Sequence, residues 1–141
     1  MIDKKELQIG SLVNYEATTH RIIELLQEGC TSEWVGHNKE KDTSNIYGHS
    51  YEELKPIKIT KDLVTNLLGF EKLPNAISDR ILIKRLGRQR SLVLENISTP
   101  KELLIIQEEN YTTSDCVVLH NYNYDGYLSL HKLQNIISIF A

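Results

Sequence analysis

Cysteine is scarce in this chain of 141 residues. Cys30 and Cys116 are far apart and fall in neither a Cys-x-x-Cys nor a Cys/His ligand spacing, which predicts two reduced, buried thiols, with a disulfide only where the fold brings the two together. Tryptophan occurs once, at Trp34, and proline three times, so no Pro-rich linker divides the chain. No run approaches the roughly 20 apolar residues of a membrane span, and the opening Met-Ile-Asp-Lys-Lys-Glu is not followed by an apolar leader core, so a cytoplasmic protein without membrane contact is expected. Catalytic signatures are missing too. There is no Gly-x-x-x-x-Gly-Lys-Ser/Thr phosphate loop, no Gly-x-Ser-x-Gly elbow and no His-Glu-x-x-His pair, which argues against an enzyme and against a tightly held cofactor.

What is present suits a soluble fold. Hydrophobic residues make up 40 % and charged residues 25 %, ordinary values that leave no case for wholesale disorder. A net charge of −3 disfavours a protein whose main task is gripping nucleic acid. The charge is uneven: residues 1–59 carry 7 cationic and 10 anionic groups, whereas residues 60–141 carry 9 of each.

The clearest local writing is Tyr51 to Lys72. Pro56 keeps Lys55 extended, and Ile57 and Ile59 alternate with Lys58 as in a strand. Thr60 then caps a helix over Lys61–Leu68, Asp62 suits its positive end, and Leu63, Val64, Leu67 and Leu68 form one apolar stripe. Gly69 ends the helix, and Phe70 is placed to fold back onto Val64. Before this joint, Ile9–Tyr15, His20–Gln27 and Glu33–Val35 read as short strands, and 36–50 as a long polar loop. After it, Arg80–Leu86, Ser91–Glu95, Glu102–Gln107 and Cys116–Tyr124 read as strands, with Asp125-Gly126 as a type I′ turn into a last strand at Tyr127 and Leu128. Ser129 is placed to cap a final helix whose Leu130, Leu133, Ile136, Ile137 and Phe140 share a face. The expected fold is α+β: an SH3-like small barrel lobe over residues 1–59, then a helix, an antiparallel meander and a C-terminal helix over residues 60–141, packed with the first lobe.

Three segments together resemble a family of small uncharacterised proteins of Bacteroidota phages and prophages. They are Leu7–Tyr15, Tyr51–Ile57 with Leu68–Lys72, and Leu130–Asn135. Members usually continue the last helix into a Leu-Thr-Gly-Glu-Glu-Leu-like tail, whereas this sequence stops at Ala141. The resemblance implies a setting rather than an activity: an accessory phage product in the host cytoplasm. One strategy of such products is to sequester a nucleotide second messenger of host immunity.

Two groups of side chains have the chemistry for that. Lys84, Arg85, Arg88 and Arg90 gather cations around a hairpin loop, where guanidinium forks suit phosphate. Tyr122, Tyr124 and Tyr127 alternate with asparagines in a string that offers stacking faces and amide hydrogen bonds, and Trp34 offers another stacking face. The predicted ligand-binding set is therefore Arg85, Arg88, Arg90, Trp34, Tyr122 and Tyr124. Weaker readings are a metal site from His37, His49 and Asp42, and acid–base work by His120 and His131 with Asp115 or Asp125. The leading expectation is a non-enzymatic homo-oligomer that sequesters a nucleotide-type ligand. Rival readings are a module that blocks a host protein and, third, a nucleic-acid-binding small barrel.

Overall fold

The computed structural model describes residues 2–35, 46–72, 80–108 and 116–141. It divides the chain into two units, one of residues 1–57 with 129–135 and one of residues 58–128 with 136–141.

In the first unit, β1 (Leu12–Tyr15), β2 (Thr18–Leu25), β3 (Gly29–Trp34) and β4 (Ile46–Ser50) form an antiparallel sheet in that order. Glu16 and Ala17 connect β1 to β2, both in the left-handed conformation (φ 47° and 64°) that a two-residue hairpin turn demands. The sheet curls back on itself. After β4 the chain returns to β1, where Asn14 and Lys55 exchange both backbone hydrogen bonds at 2.9 Å. That pairing on the far edge is the closure expected of a small barrel. Inside lie Ile2, Leu7, Val13, Ile22, Cys30 and Leu54, with Tyr15, Leu25 and Tyr51 packed against them. Gly29 is obligatory for a steric reason: a Cβ there would stand 2.3 Å from the His49 carbonyl oxygen.

The polar stretch 36–50 is not all loop, because its last third is β4. Alternation was hidden there since the one buried residue of β4 is polar, His49.

In the second unit, α1 (Lys61–Leu68) runs as the sequence predicts. The Thr60 hydroxyl accepts from Leu63 N at 3.2 Å, Gly69 is left-handed (φ 77°), and Phe70 N donates to Val64 O at 3.1 Å. Val64 and Phe70 are both fully buried. A five-stranded antiparallel meander follows: β5 (Glu71–Lys72), β6 (Ile81–Leu86), β7 (Arg90–Glu95), β8 (Leu103–Glu108) and β9 (Val117–Asn121). Leu82, Leu92, Leu94 and Leu104 are its fully buried side chains.

The hairpin expected around Asp125-Gly126 does not form. Instead α2 (Tyr122–Asp125) makes one helical turn. The Asn121 side chain accepts from Asn123 N at 3.0 Å, Asp125 Oδ2 accepts from Asn121 N at 3.3 Å, and Gly126 ends the turn with φ 69°. Local side-chain hydrogen bonds from Asn and Asp thus win over strand extension. Cys116 is a second departure, being exposed rather than buried, with its thiol 3.7 Å from Gln107 Oε1.

The final helix α3 (Leu130–Phe140) begins in the first unit. Gln134 clamps the start of β1, accepting from Leu12 N at 2.7 Å and donating to Gly10 O at 2.8 Å. Asn135 donates to Glu6 O at 2.7 Å and accepts from Gln8 Nε2 at 2.6 Å. Among the described residues no helix is long and apolar enough to cross a membrane.

Candidate functional site

A hollow of the second unit has a volume of about 630 Å³, within the range of small-molecule sites. Its walls come from the N-terminus of α1 (Thr60, Lys61), from Arg80 and Leu82 of β6 and the residue before it, and from the β7–β8 connection, 96–101. Among the described residues, the charged ones lining it are cations: Lys61, Arg80 and Lys101. Leu82, Ile97 and Pro100 supply an apolar wall, and Thr60, Asn96, Ser98 and Thr99 supply hydroxyl and amide groups.

The connection is held in shape by its own hydrogen bonds. Asn96 (φ 54°) and Ser98 (φ 65°) are left-handed, a conformation that costs a non-glycine residue about 1 kcal/mol or more unless surrounding contacts hold it. Asn96 N donates to Arg80 O at 3.0 Å, and Thr99 Oγ1 donates to Asn96 O at 2.8 Å while accepting from Lys101 N at 3.2 Å. Ser98 Oγ donates to Ile59 O at 3.0 Å, which fastens the connection beside the segment entering α1. Beneath it sits Glu102, only 1 % exposed. Its Oε2 accepts from Ser98 N at 2.9 Å, and its Oε1 accepts from Leu128 N at 2.7 Å and pairs with His120 Nε2 at 3.1 Å. Glu102 is thus a buried three-way anchor. The sequence gives one cue to it, an acidic residue at the mouth of an apolar strand, and that cue does not separate it from a surface carboxylate.

The predicted residues are distributed over several places. Arg85 and Arg88 are exposed on the β6–β7 hairpin, Arg88 with φ 62° in the turn itself. Arg90 points elsewhere: its guanidinium donates to Phe140 O at 3.0 Å and lies 5.9 Å from the Phe140 ring, capping the C-terminal end of α3. Tyr122 packs on Tyr127 with ring centroids 4.5 Å apart, and Lys58 Nζ lies 3.5 Å above the Tyr127 ring. The hydrogen bond and nearness of Tyr127 push the Tyr122 phenol upward. Tyr124, on the same turn, is 85 % exposed. Trp34 ends β3 in the first unit and lines a smaller hollow there. The stronger cationic set, Lys61, Arg80 and Lys101, escapes sequence reading because its members are scattered along the chain.

Sequence reading also missed a buried polar chain in the first unit. The Thr18 hydroxyl donates to Tyr15 O at 2.6 Å, so its oxygen must accept from His20 Nε2 at 2.9 Å. With the rings neutral, His20 Nδ1 accepts from Ser32 Oγ at 2.9 Å, and Ser32 Oγ accepts from His49 Nε2 at 2.7 Å. His49 Nδ1 is left buried without a hydrogen bond, 3.8 Å from Glu53 Oε2. Burial, and the neighbouring His49, lower the His20 pKa. Burial lowers that of His49 as well, outweighing the opposite pull of Glu53 and Glu16. Tyr15, beside them, has its phenol pushed up chiefly by Glu16, then by burial and Glu53.

The two other histidines are each tied inside their own unit, His120 to Glu102 and His131 to Glu6 Oε2 at 3.1 Å. His37, Asp42 and Asp115 lie outside the described residues. Among the described residues no three His, Cys, Asp or Glu side chains gather as a metal site would need. Comparison of the chain with protein-family models, with curated proteins and with solved structures finds no significant match.

Proposed function

We propose that the protein binds a phosphate-bearing, nucleotide-type small molecule in the hollow of the second unit and holds it without cleaving it. One observation carries this reading: a hollow of nucleotide size into which three cations, Lys61, Arg80 and Lys101, are gathered among the described residues, in a chain of net negative charge. The N-terminal end of α1 adds free backbone N–H groups and the positive end of its dipole to the same wall. Arg80 and the two lysines take the phosphates. The face of Leu82, Ile97 and Pro100 takes the apolar part of the ligand. The setting, an accessory phage product acting against a host nucleotide signal, rests on the family resemblance alone. Self-association belongs to the same proposal, since β9 is an edge strand with Val117 and Val118 both more than half exposed, a pairing edge for a second copy.

Calorimetric titration with ATP and with a cyclic dinucleotide tests the site. Lys61→Ala with Lys101→Ala is expected to weaken the preferred ligand at least tenfold, since each charge-assisted contact contributes about 1.5–3 kcal/mol. Arg88→Ala is expected to leave affinity unchanged. The reverse pattern would move the site to the hairpin, and no binding by the unaltered chain would reject the reading.

A further inference from the structure

We propose that the small hollow of the first unit binds a methylated ammonium group, independently of the anion site proposed for the second unit. The hollow measures about 180 Å³ and is lined by Tyr15, Glu16, Thr18, His20, Trp34 and Tyr47. That volume is below the range of nucleotide or drug-sized sites and suits a compact head group.

Three aromatic side chains and an imidazole form its walls, and the imidazole meets two of them, Tyr15 and Tyr47, edge to face. Tyr15 and His20 cross at 89° with centroids 5.5 Å apart, and His20 and Tyr47 at 77° and 5.4 Å. Rings at right angles make a box rather than a stack, so several π faces can surround one cation. The charge agrees. Among the described residues Glu16 is the only charged one in the lining and is acidic, and the first 59 residues carry an excess of three carboxylates over cations (10 against 7). No lysine or arginine is among the described lining residues.

Polar bookkeeping selects the methylated form over a bare ammonium. The Thr18 hydroxyl already donates to Tyr15 O and accepts from His20, and the second nitrogen of His20 is occupied by Ser32. A primary ammonium brings three strongly hydrated N–H donors, and among the described lining side chains only Glu16 and the Tyr15 and Tyr47 phenol oxygens can replace that water, so it is the costlier group to desolvate. A trimethylammonium has no donors and loses only weak hydration.

The test is a titration of the full chain followed by the fluorescence of its single tryptophan, Trp34, with choline, free trimethyllysine and 3,3-dimethylbutan-1-ol, the uncharged analogue of choline. Saturable binding of choline or trimethyllysine, about tenfold tighter than the uncharged analogue, is the expected result. Tighter choline would place the head group on a small molecule, and tighter trimethyllysine on a protein side chain. Tyr47→Ala is expected to weaken binding about tenfold, and Tyr47→Phe to restore it. Equal affinity for charged and uncharged analogues, saturation by neither cation, or unchanged binding in Tyr47→Ala would each overturn the proposal.

Discussion

Glu102→Ala is expected to be the most damaging single substitution in the second unit. It removes the acceptor of three donors at once, Leu128 N and His120 Nε2, both buried, and the half-buried Ser98 N. Each orphaned donor costs about 1–3 kcal/mol, so the sum is on the order of 3–5 kcal/mol, a large part of a typical domain's 5–15. The thermal midpoint should fall by roughly 10 °C or more. Glu102→Gln keeps one acceptor oxygen but presents an NH₂ to Ser98 N or to the Leu128–His120 pair, so an intermediate loss is expected. Lys101→Ala, one residue earlier and exposed, should change stability by no more than about 0.5 kcal/mol. A melting point for Glu102→Ala near that of Lys101→Ala would show that the three bonds are not an anchor.

Acidification is expected to destabilise the protein well above the carboxylate range. Three histidines of the first unit, His20, His49 and His131, have pKa values lowered from 6.5, each chiefly by burial. Beside His131, Glu6 pulls upward and Lys132 downward without reversing that effect. A lowered folded-state value means that the unfolded chain takes up protons first as pH falls. The stabilisation is therefore complete above about 6.5 and is lost progressively below it, until the folded rings also protonate. Between pH 6.5 and 5 the loss can reach about 1.4 kcal/mol per pH unit for each histidine that titrates only when unfolded. Urea midpoints taken across this interval should fall steadily, and replacing His20 by Asn should flatten the slope by one proton's worth. Stability that stays level or rises from pH 6.5 to 5 would contradict the buried neutral chain through Ser32.

The fold was readable wherever apolar periodicity or a cap carried it. Thr60, the stripe from Leu63 to Leu68 and Gly69 mark α1 at its true ends, and Leu82 to Leu94 mark the first hairpin of the meander. Reading failed where polar side chains did the structural work. The inward residue of β4 is His49, so that strand looked like loop. Asn121 and Asp125 bond their own backbone, so a strand-and-turn pattern became a helical turn. Leu7–Tyr15, Tyr51–Ile57 and Leu130–Asn135 are joined within the first unit. Asn14 pairs with Lys55, Gln134 clamps Gly10 and Leu12, and Leu130 N donates to Ile57 O at 2.7 Å.

The candidate sites were harder to read because both depend on distant residues. Of the six predicted ligand residues, Trp34 lines a hollow and Arg90 is committed to the end of α3. Lys61, Arg80 and Lys101 line one hollow because the β7–β8 connection is tied to Arg80 by a backbone bond and to Ile59 by the Ser98 hydroxyl. No spacing rule links them.

Native mass spectrometry tests the central claim most directly. The purified chain would be incubated with lysate of cells whose nucleotide-signalling defence has been triggered, and any bound material released by heat. The account predicts a complex that carries an intact nucleotide-type molecule, released unchanged, and a Lys61→Ala, Arg80→Ala, Lys101→Ala variant that emerges empty. A chain that emerges empty, one that releases a cleaved product, or one that retains only a host polypeptide would contradict it.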